Sequence, residues 1–233
     1  MTALGQSLWP EGFAEAWRFV QGPENHDIVY DGREPRIARL ADPSNPRSWY
    51  GRSRSRVATA LSLCAPGIPM LFMGQEFLED KQWSDNFELH ADLLLYWAGL
   101  DQGDKQMLDH LRCIRELIAL RKQTPALRGQ GFRLLHVHDA NRVLAFQRWV
   151  EGEGRDVLVV AHLAPFNRFG YRIGFPAGGA WREIFNSDVY ENWVNPNVVG
   201  NGGCVVANGG PMHGLGSSAA LVLPANSILI FAR

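Results

Sequence analysis

Short apolar runs that end in polar residues alternate with helical tracts in the first half of the chain. The run 18–21 leads through a glycine and a proline to Asn25-His26-Asp27. Residues 54–65 form a helical tract, and residues 67–76 have an apolar centre of strand length bounded by glycines. Residues 105–123 keep mostly helical spacing of their apolar side chains. This order of strand, helix, strand and helix predicts the closing part of an alternating α/β fold.

The pattern changes near Pro125, and short β-rich runs follow from about residue 132 onward. Turn-forming residues separate these runs, which cover 133–137, 143–150, 157–163, 171–175 and 228–231. They predict an antiparallel β-sandwich over residues 126–233, following an α/β part over residues 1–125. The glycine-rich stretch 199–217 is interpreted as a long loop within the β part.

Aromatic residues fall into two groups in this reading. Trp149, Trp181 and Phe185 lie in strand-like runs and are expected to fill the sandwich core. The others are expected in connecting loops, where aromatic rings can stack on sugars, and they are Trp49, Tyr50, Trp83, Tyr96 and Trp97. For Trp83 and Trp97, substrate contact and local packing are equally weighted alternatives.

The charge composition argues against a nucleic-acid partner. The chain of 233 residues is 46% hydrophobic and 20% charged, with a net charge of -1, as in an ordinary globular protein. Arg47, Arg52, Arg54 and Arg56 are the only local basic run, which is interpreted as a solvated helix start. We therefore expect no nucleic-acid partner.

Three cysteines, Cys64, Cys113 and Cys204, are odd in number and widely spaced. Buried free thiols are the simplest interpretation for Cys64 and Cys113, and they favour a reducing compartment. No metal-ligand spacing is found, so no metal and no cofactor are expected. No leader segment or run of membrane-spanning length is found, so a cytoplasmic location and no membrane partner are expected.

His26 and Asp27 form the most informative pair of polar residues. A carboxylate beside a neutral imidazole can stabilise developing positive charge while the imidazole donates to a substrate hydroxyl, as cleavage of a glycosidic bond requires. The structural alternative is a loop histidine hydrogen-bonded to a turn aspartate. A second His-Asp pair, His138-Asp139, is interpreted as such a turn.

Three motifs in order resemble the last part of the catalytic barrel in the alpha-amylase superfamily. They are Asn25-His26-Asp27, Gly67-Ile68-Pro69-Met70-Leu71-Phe72-Met73-Gly74-Gln75-Glu76 and Leu117-Ile118-Ala119-Leu120-Arg121-Lys122-Gln123-Thr124-Pro125-Ala126-Leu127. The tract Trp181-Arg182-Glu183-Ile184-Phe185-Asn186-Ser187-Asp188 and the later Leu223-Pro224-Ala225-Asn226-Ser227 resemble the C-terminal portion of 1,4-alpha-glucan branching enzymes.

The resemblance implies a fold and an activity. The fold is the C-terminal part of a (β/α)8 TIM barrel over residues 1–125, followed by an all-β C-terminal domain over residues 126–233. The activity is cleavage of an α-1,4-glucan and transfer of the chain to a 6-hydroxyl, which forms the α-1,6 branches of glycogen. The implied partner is an α-glucan polysaccharide.

The resemblance also implies roles for single residues. Asp27 would be the catalytic transition-state stabiliser and His26 a ligand to the sugar at the cleavage subsite. Asn25 is expected to shape the turn, because Asn often hydrogen-bonds its own backbone. Trp83, Trp97 and Glu76 are further candidates for substrate binding, although Glu76 has the alternative role of tethering a neighbouring backbone.

Two catalytic groups of the family are missing from these residues. Neither the Gly-x-Arg-x-Asp tract that carries the nucleophile nor the acid/base Glu is found, and retaining chemistry needs both carboxyl groups. We therefore expect this chain alone to be inactive. An incomplete barrel would also leave strand edges uncovered, which predicts self-association or modest stability.

Two alternatives to a branching enzyme remain at this stage. One is a hydrolase of the same superfamily, such as an alpha-amylase, which would share the barrel motifs. The other is a noncatalytic glucan-binding module that uses the β-domain and the loop aromatics. Product analysis would separate the first alternative, and retained polysaccharide affinity after loss of Asp27 would indicate the second.

Overall fold

A computed structural model describes residues 1–233. The chain forms six α-helices, ten β-strands and four short 3-10 helices. The helices are α1 (Thr2–Ser7), α2 (Ile37–Ala41), α3 (Trp49–Cys64), α4 (Trp97–Asp101), α5 (Lys105–Gln123) and α6 (Pro125–Arg128). The strands are β1 (Val20–Gln21), β2 (Ile68–Pro69), β3 (Gly131–His138), β4 (Val143–Trp149), β5 (Val157–His162), β6 (Arg168–Phe175), β7 (Gly179–Asn186), β8 (Cys204–Ala207), β9 (Ser217–Leu223) and β10 (Ser227–Ala232). None of the helices has both the length and the hydropathy needed to cross a bilayer.

Helix α3 begins five residues before the predicted start at residue 54. Ser48 caps it, because its Oγ accepts a hydrogen bond from the backbone N–H of Gly51. Trp49 and Tyr50 therefore lie in the first helical turn, and their predicted place in a loop is wrong. The helix ends at Cys64, since Pro66 two residues later disfavours its continuation.

The basic run along α3 is not a solvated helix start, as the sequence suggested. Arg56 is buried, and its Nη2 lies 2.6 Å from Oε2 of Glu191. Arg52 donates to the other carboxylate oxygen of Glu191. These arginines instead attach α3 to the segment after β7, because their charges are compensated there by the Glu191 carboxylate.

Helix α5 has the predicted bounds. Oδ1 of Asp104 accepts hydrogen bonds from the backbone N–H groups of Gln106 and Met107, which caps the first turn. Pro125 follows the end of the helix by two residues and starts the short α6. The buried face of α5 packs on α3.

β1 and β2 form a parallel pair in which Val20 lies opposite Ile68 and Gln21 opposite Pro69. Each strand has two residues, and no other strand pairs with either, so a TIM barrel portion is not evident. The predicted buried strand across residues 67–76 is wrong, because only Ile68–Pro69 form a strand and Ile68 is 48% exposed. The chain turns at Gly74, whose φ of 89° is readily adopted only by glycine, into a 3-10 helix over Gln75–Phe77.

The second half forms an antiparallel β-fold, as predicted. Six strands form one sheet in the order β3-β4-β5-β10-β7-β8, and β6 pairs with β9 in a second sheet. β8 and β9 were not among the predicted runs, and β7 was expected only through Trp181 and Phe185, which the sequence placed in strands. β8 lies inside the glycine-rich stretch predicted as a loop, because Val205 is buried against the core while Cys204–Ala207 pair with β7.

Two apolar clusters hold the molecule together. One lies between the two sheets and includes Trp181, which is 1% exposed. The other joins α3 and α5 to the opposite face of the large sheet and includes Phe185. Trp149 is only half-buried and Phe185 faces the helices, so their predicted place in the sandwich core is wrong, whereas that of Trp181 is right. The helical and β parts therefore share one core across the predicted boundary.

Free thiols occupy that shared core. Cys64 and Cys113 are unpaired and fully buried on α3 and α5, as the sequence predicted. Cys204 is exposed on β8. Burial raises the pKa of both core thiols to about 12, which keeps them protonated and unreactive at neutral pH.

Candidate active site

The loop that follows β1 places a histidine and an aspartate side by side at the surface. Oδ1 of Asn25 accepts hydrogen bonds from the backbone N–H of Asp27 at 3.0 Å and of Ile28 at 2.8 Å. This is the local turn that Asn side chains form with the following backbone. The turn leaves the His26 and Asp27 side chains 65% and 72% exposed, with Nε2 of His26 3.4 Å from Oδ2 of Asp27.

Trp83 comes from a separate loop and lies against this turn. Its Nε1 donates to the carbonyl oxygen of His26 at 2.8 Å, and the two rings meet edge to face with centroids 6.4 Å apart. Tyr30 and Phe72 each place a ring 5.8 Å from that of Trp83. Three of the residues predicted from sequence, His26, Asp27 and Trp83, are therefore brought together.

A buried ion pair beneath the turn was missed by the sequence analysis. Nη1 of Arg36 lies 2.9 Å from Oε2 of Glu24, and both side chains are almost completely buried. Oε1 of Glu24 also accepts from the backbone N–H of Ile37 at 2.7 Å. Burial raises the pKa of the Glu24 carboxyl, and the charge of Arg36 opposes that rise. The only sequence signal was an acidic residue directly before Asn25.

Arg36 also ties the two loops of the site to each other. It donates to the carbonyl oxygens of Met73 and Lys81 at 3.0 and 2.8 Å. Its guanidinium lies 4.9 Å from the centroid of the Phe72 ring, which in turn contacts Trp83. The fixed fork of an arginine can hold several acceptors at once, so this residue sets the spacing of the loops.

Gln75 and Glu79 shape the second loop. Nε2 of Gln75 donates to Oγ1 of Thr59 on α3 at 2.9 Å, so this buried side chain points to the helix and not to a pocket. Oε2 of the buried Glu79 accepts from the backbone N–H of Tyr96 at 2.8 Å. Glu76 lies between them in the 3-10 helix and is half-buried.

Trp97 lies on α4, away from the ring contacts that surround Trp83. Its aromatic neighbour is Phe77, with ring centroids 4.9 Å apart, and it is 53% exposed. The structure therefore does not bring Trp97 into the group formed by His26, Asp27 and Trp83.

The arrangement can stabilise positive charge, because the Asp27 carboxylate is exposed beside the imidazole of His26. The exposed carboxylate and the neighbouring imidazole can both reach a ligand, and Trp83 offers an aromatic surface beside them. No group of three or more His, Cys, Asp or Glu side chains is positioned to hold a metal ion.

Residues 135–233 match the family described as alpha amylase, C-terminal all-beta domain. The β part of the chain thus matches the alpha-amylase C-terminal all-beta domain. Over 220 residues the chain is 36% identical to the 1,4-alpha-glucan branching enzyme GlgB of Pseudomonas syringae pv. tomato, which covers 93% of this chain and 28% of that enzyme. It is 34% identical to GlgB 1 of Xanthomonas campestris pv. campestris, over 98% of this chain and 30% of that enzyme.

Solved structures give the same fold at lower identity. The pullulanase of Anoxybacillus sp. LM18-11 superposes on 99% of this chain and 30% of its own with a TM-score of 0.60 and 19% identity. The catalytic module of the glycogen-degrading pneumococcal virulence factor SpuA gives a TM-score of 0.65 at 14% identity, over 99% of this chain and 39% of its own. The identity of 34–36% to the two branching enzymes, over their C-terminal 30% or less, confirms the predicted resemblance to the C-terminal portion of a 1,4-alpha-glucan branching enzyme. The chain spans less than a third of the length of the curated relatives described above.

Proposed function

We propose that this chain is the C-terminal portion of a 1,4-alpha-glucan branching enzyme. The whole enzyme would cut an α-1,4-glucan and transfer the chain to a 6-hydroxyl of a glycogen-like acceptor. The observation that carries this proposal is identity of 34–37% to enzymes of that name along most of the chain. The hydrolases with the same fold are only 14–19% identical, which favours branching over hydrolysis.

Residues 1–125 would supply the last strands and helices of the catalytic barrel, and residues 126–233 the all-β domain. Support for the barrel comes from β1 and β2, which are parallel neighbours separated in the chain by the long helix α3. Parallel strands need such a crossover, and catalytic side chains in barrels follow the carboxyl ends of strands. Asn25-His26-Asp27 follow the carboxyl end of β1 in this way.

Asp27 would stabilise the oxocarbenium-like transition state, and His26 would donate a hydrogen bond to the sugar at the cleavage point. Asn25 would hold their turn, and Trp83 would give the ring on which a sugar stacks. Glu76 and Trp97 would contact the glucan farther from the cleaved bond.

This chain alone would be inactive, because one carboxylate cannot supply nucleophile, proton donor and stabiliser together. The exposed Val20 and Ile68 on the β1–β2 pair would be covered by further barrel strands or by a second copy of the chain. Two unpaired buried thiols favour a reducing compartment such as the cytoplasm.

Two measurements test the proposal. An antibody to this chain should detect a much larger species in cell extract, and that species should form branches without a rise in reducing ends. Asp27→Asn in that species should lower its rate about a hundredfold or more, whereas Asp101→Asn, at an exposed aspartate on α4, should not. Rising reducing ends would instead indicate a hydrolase, and a native species of this size would contradict the catalytic role.

A further inference from the structure

A surface depression lined by aromatic rings lies near the amino end of β1. Its volume is about 850 Å³, and Trp9, Phe132 and Trp149 contribute its rings. Trp9 contacts Phe19, the residue directly before β1, with ring centroids 5.7 Å apart. The candidate active site follows the opposite end of this strand. The depression is therefore a separate feature of the surface.

The rings are held in place by the protein, and Trp9, Phe132 and Trp149 are each half-buried, so part of their surface faces the depression. Trp9 and Phe132 are stacked, with centroids 6.0 Å apart and an interplanar angle of 29°. Nε1 of Trp9 donates to the carbonyl oxygen of Phe13 at 2.7 Å, and Nε1 of Trp149 donates to Oε2 of Glu151 at 3.1 Å. Because each indole N–H is already bonded, the remaining recognition capacity of these rings is their apolar surface.

Glycine is required in the wall of the depression. A Cβ atom at Gly131 would lie 2.4 Å from the ring of Trp149, and one at Gly129 would lie 2.6 Å from the Trp149 carbonyl oxygen. The carbonyl groups of both glycines accept hydrogen bonds from the buried Arg148. The wall is thus preorganised, which lowers the entropic cost of binding.

Polar side chains surround the rings and have free hydrogen-bonding capacity. Oε1 of Gln130 accepts from the backbone N–H of Ala16 at 2.8 Å, which leaves the Nε2 amide group free to donate. Arg128 is exposed and forms no ion pair. Glu151 is exposed and provides acceptor oxygens. Arg128 and Glu151 are the charged residues that line the depression, and their opposite charges give it no net charge.

We infer that this depression is a second binding site for a neutral oligosaccharide, and specifically for an α-glucan chain. The C–H faces of a sugar can pack on the aromatic rings of this depression. The hydroxyl groups of a sugar both donate and accept hydrogen bonds, so they can pair with Arg128, Gln130 and Glu151 around those rings. A nucleic acid would need an excess of positive charge that the depression lacks. The choice of α-glucan among sugars rests on the proposed function.

Titration of the 233-residue chain with maltoheptaose, followed by NMR of the tryptophan indole N–H groups, tests the inference. Trp149→Ala should weaken the affinity about two- to tenfold. Arg128→Ala, at an exposed position that does not threaten folding, should weaken it about two- to fivefold. Trp17→Ala is the matched control, since Trp17 is 57% exposed and does not line this depression.

Trp83→Ala distinguishes this site from the candidate active site. If Trp83→Ala alone weakens binding, the inference is wrong while the proposed function stands. Unchanged affinity in both Trp149→Ala and Arg128→Ala, or no maltoheptaose binding by the chain at all, also overturns it. The proposed function is measured separately, by product analysis of the larger species.

Discussion

Arg148 carries a positive charge into the centre of the molecule without an acidic partner. Its guanidinium is fully buried and donates to the carbonyl oxygens of Cys64, Gly129 and Gly131. Burial lowers its pKa to about 9, but the group remains protonated at neutral pH. It joins the last turn of α3, whose carbonyl end attracts cations, to the start of the β part.

Replacement of Arg148 by Met should destabilise the chain by about 3 kcal/mol or more, because three buried carbonyl oxygens lose their donor. Urea unfolding followed by far-UV circular dichroism measures this difference. Arg155→Met, at an exposed loop arginine, is the control and should change the free energy of unfolding by less than about 0.5 kcal/mol. Equal stability of the two variants would contradict the structural role of Arg148.

Asn25 permits a second test at the scale of one residue. Asn25→Ala removes the acceptor of two backbone hydrogen bonds and should lower the stability of the turn by about 1 kcal/mol. Asn25→Asp keeps an oxygen in the same place and should retain most of the native exchange protection of the Ile28 amide. Hydrogen exchange of that amide, compared between the two variants, gives the result. Similar loss of protection in both would show that the amide oxygen does not hold the turn.

At the scale of elements, ion pairs with Glu191 hold α3 against the segment after β7. Arg52 and Arg56 both donate to this carboxylate, and Arg56 is buried. Burial raises the pKa of Glu191, but the hydrogen bonds from the two arginines outweigh that effect and the folded-state pKa lies below its ordinary value. Breaking a buried pair from one side leaves an uncompensated charge.

Glu191→Gln should destabilise the chain by about 3 kcal/mol at pH 7. Because the folded-state pKa is lowered, the contribution of Glu191 is present at neutral pH and is lost as the pH falls below about 4.5. The difference in unfolding free energy between the native chain and this variant should therefore shrink on acidification. A difference that stays constant between pH 6 and pH 3 would contradict this prediction.

A second pair of elements meets through histidines. His136 on β3 stacks on His213 from the loop between β8 and β9, with centroids 4.3 Å apart, and bonds Tyr171 Oη at 2.8 Å. Burial, and then the neighbouring His213 and His138, lower the pKa of His136 to about 4. Burial also lowers the pKa of His213, whose Nδ1 accepts from the backbone N–H of Gly174.

These shifts predict a loss of stability in mild acid. Unfolded His136 takes up a proton below about pH 6.5 while folded His136 stays neutral to about pH 4, so stability falls from pH 6.5 toward pH 4. His136→Gln keeps a polar partner for Tyr171 but does not titrate. The fall in unfolding free energy between pH 7 and pH 5 should be smaller in this variant than in the native chain, and an equal fall would count against the histidine contact.

At the scale of the whole molecule, we expect the helical and β parts to unfold as one cooperative unit, because they share a core. α3 and α5 cover one face of the large sheet, so neither part can unfold without exposing apolar surface of the other. The core thiols report on the helices, and Trp181, buried between the sheets, reports on the β part.

Thiol labelling should therefore follow global unfolding. In the native chain only Cys204 should react with a disulfide reagent, and Cys64 and Cys113 should react at the urea concentration at which Trp181 becomes exposed. Mass spectrometry of labelled peptides follows the thiols, and the NMR signal of the Trp181 indole N–H follows the β part. Labelling of Cys113 well before loss of the native Trp181 signal would show that the helices unfold independently.

Local patterns in the sequence determined α5, five of the β-strands, the buried thiols and the resemblance to branching enzymes. These features depend on side-chain periodicity and on motifs of neighbouring residues, which the linear chain contains in full. Strands β8 and β9 were not predicted, because glycines and polar residues interrupt their apolar pattern and only pairing across the sheets stabilises them.

Only the tertiary structure decided which distant residues meet. Trp83 lies against His26, Glu24 pairs with Arg36, and the arginines of α3 reach Glu191, although 135 residues separate Arg56 from that partner. The tertiary structure also decided that one apolar core joins α3 and α5 to the large sheet. Contacts between residues far apart in the chain depend on how whole helices and strands pack. The sequence pattern within one helix or strand does not predict that packing.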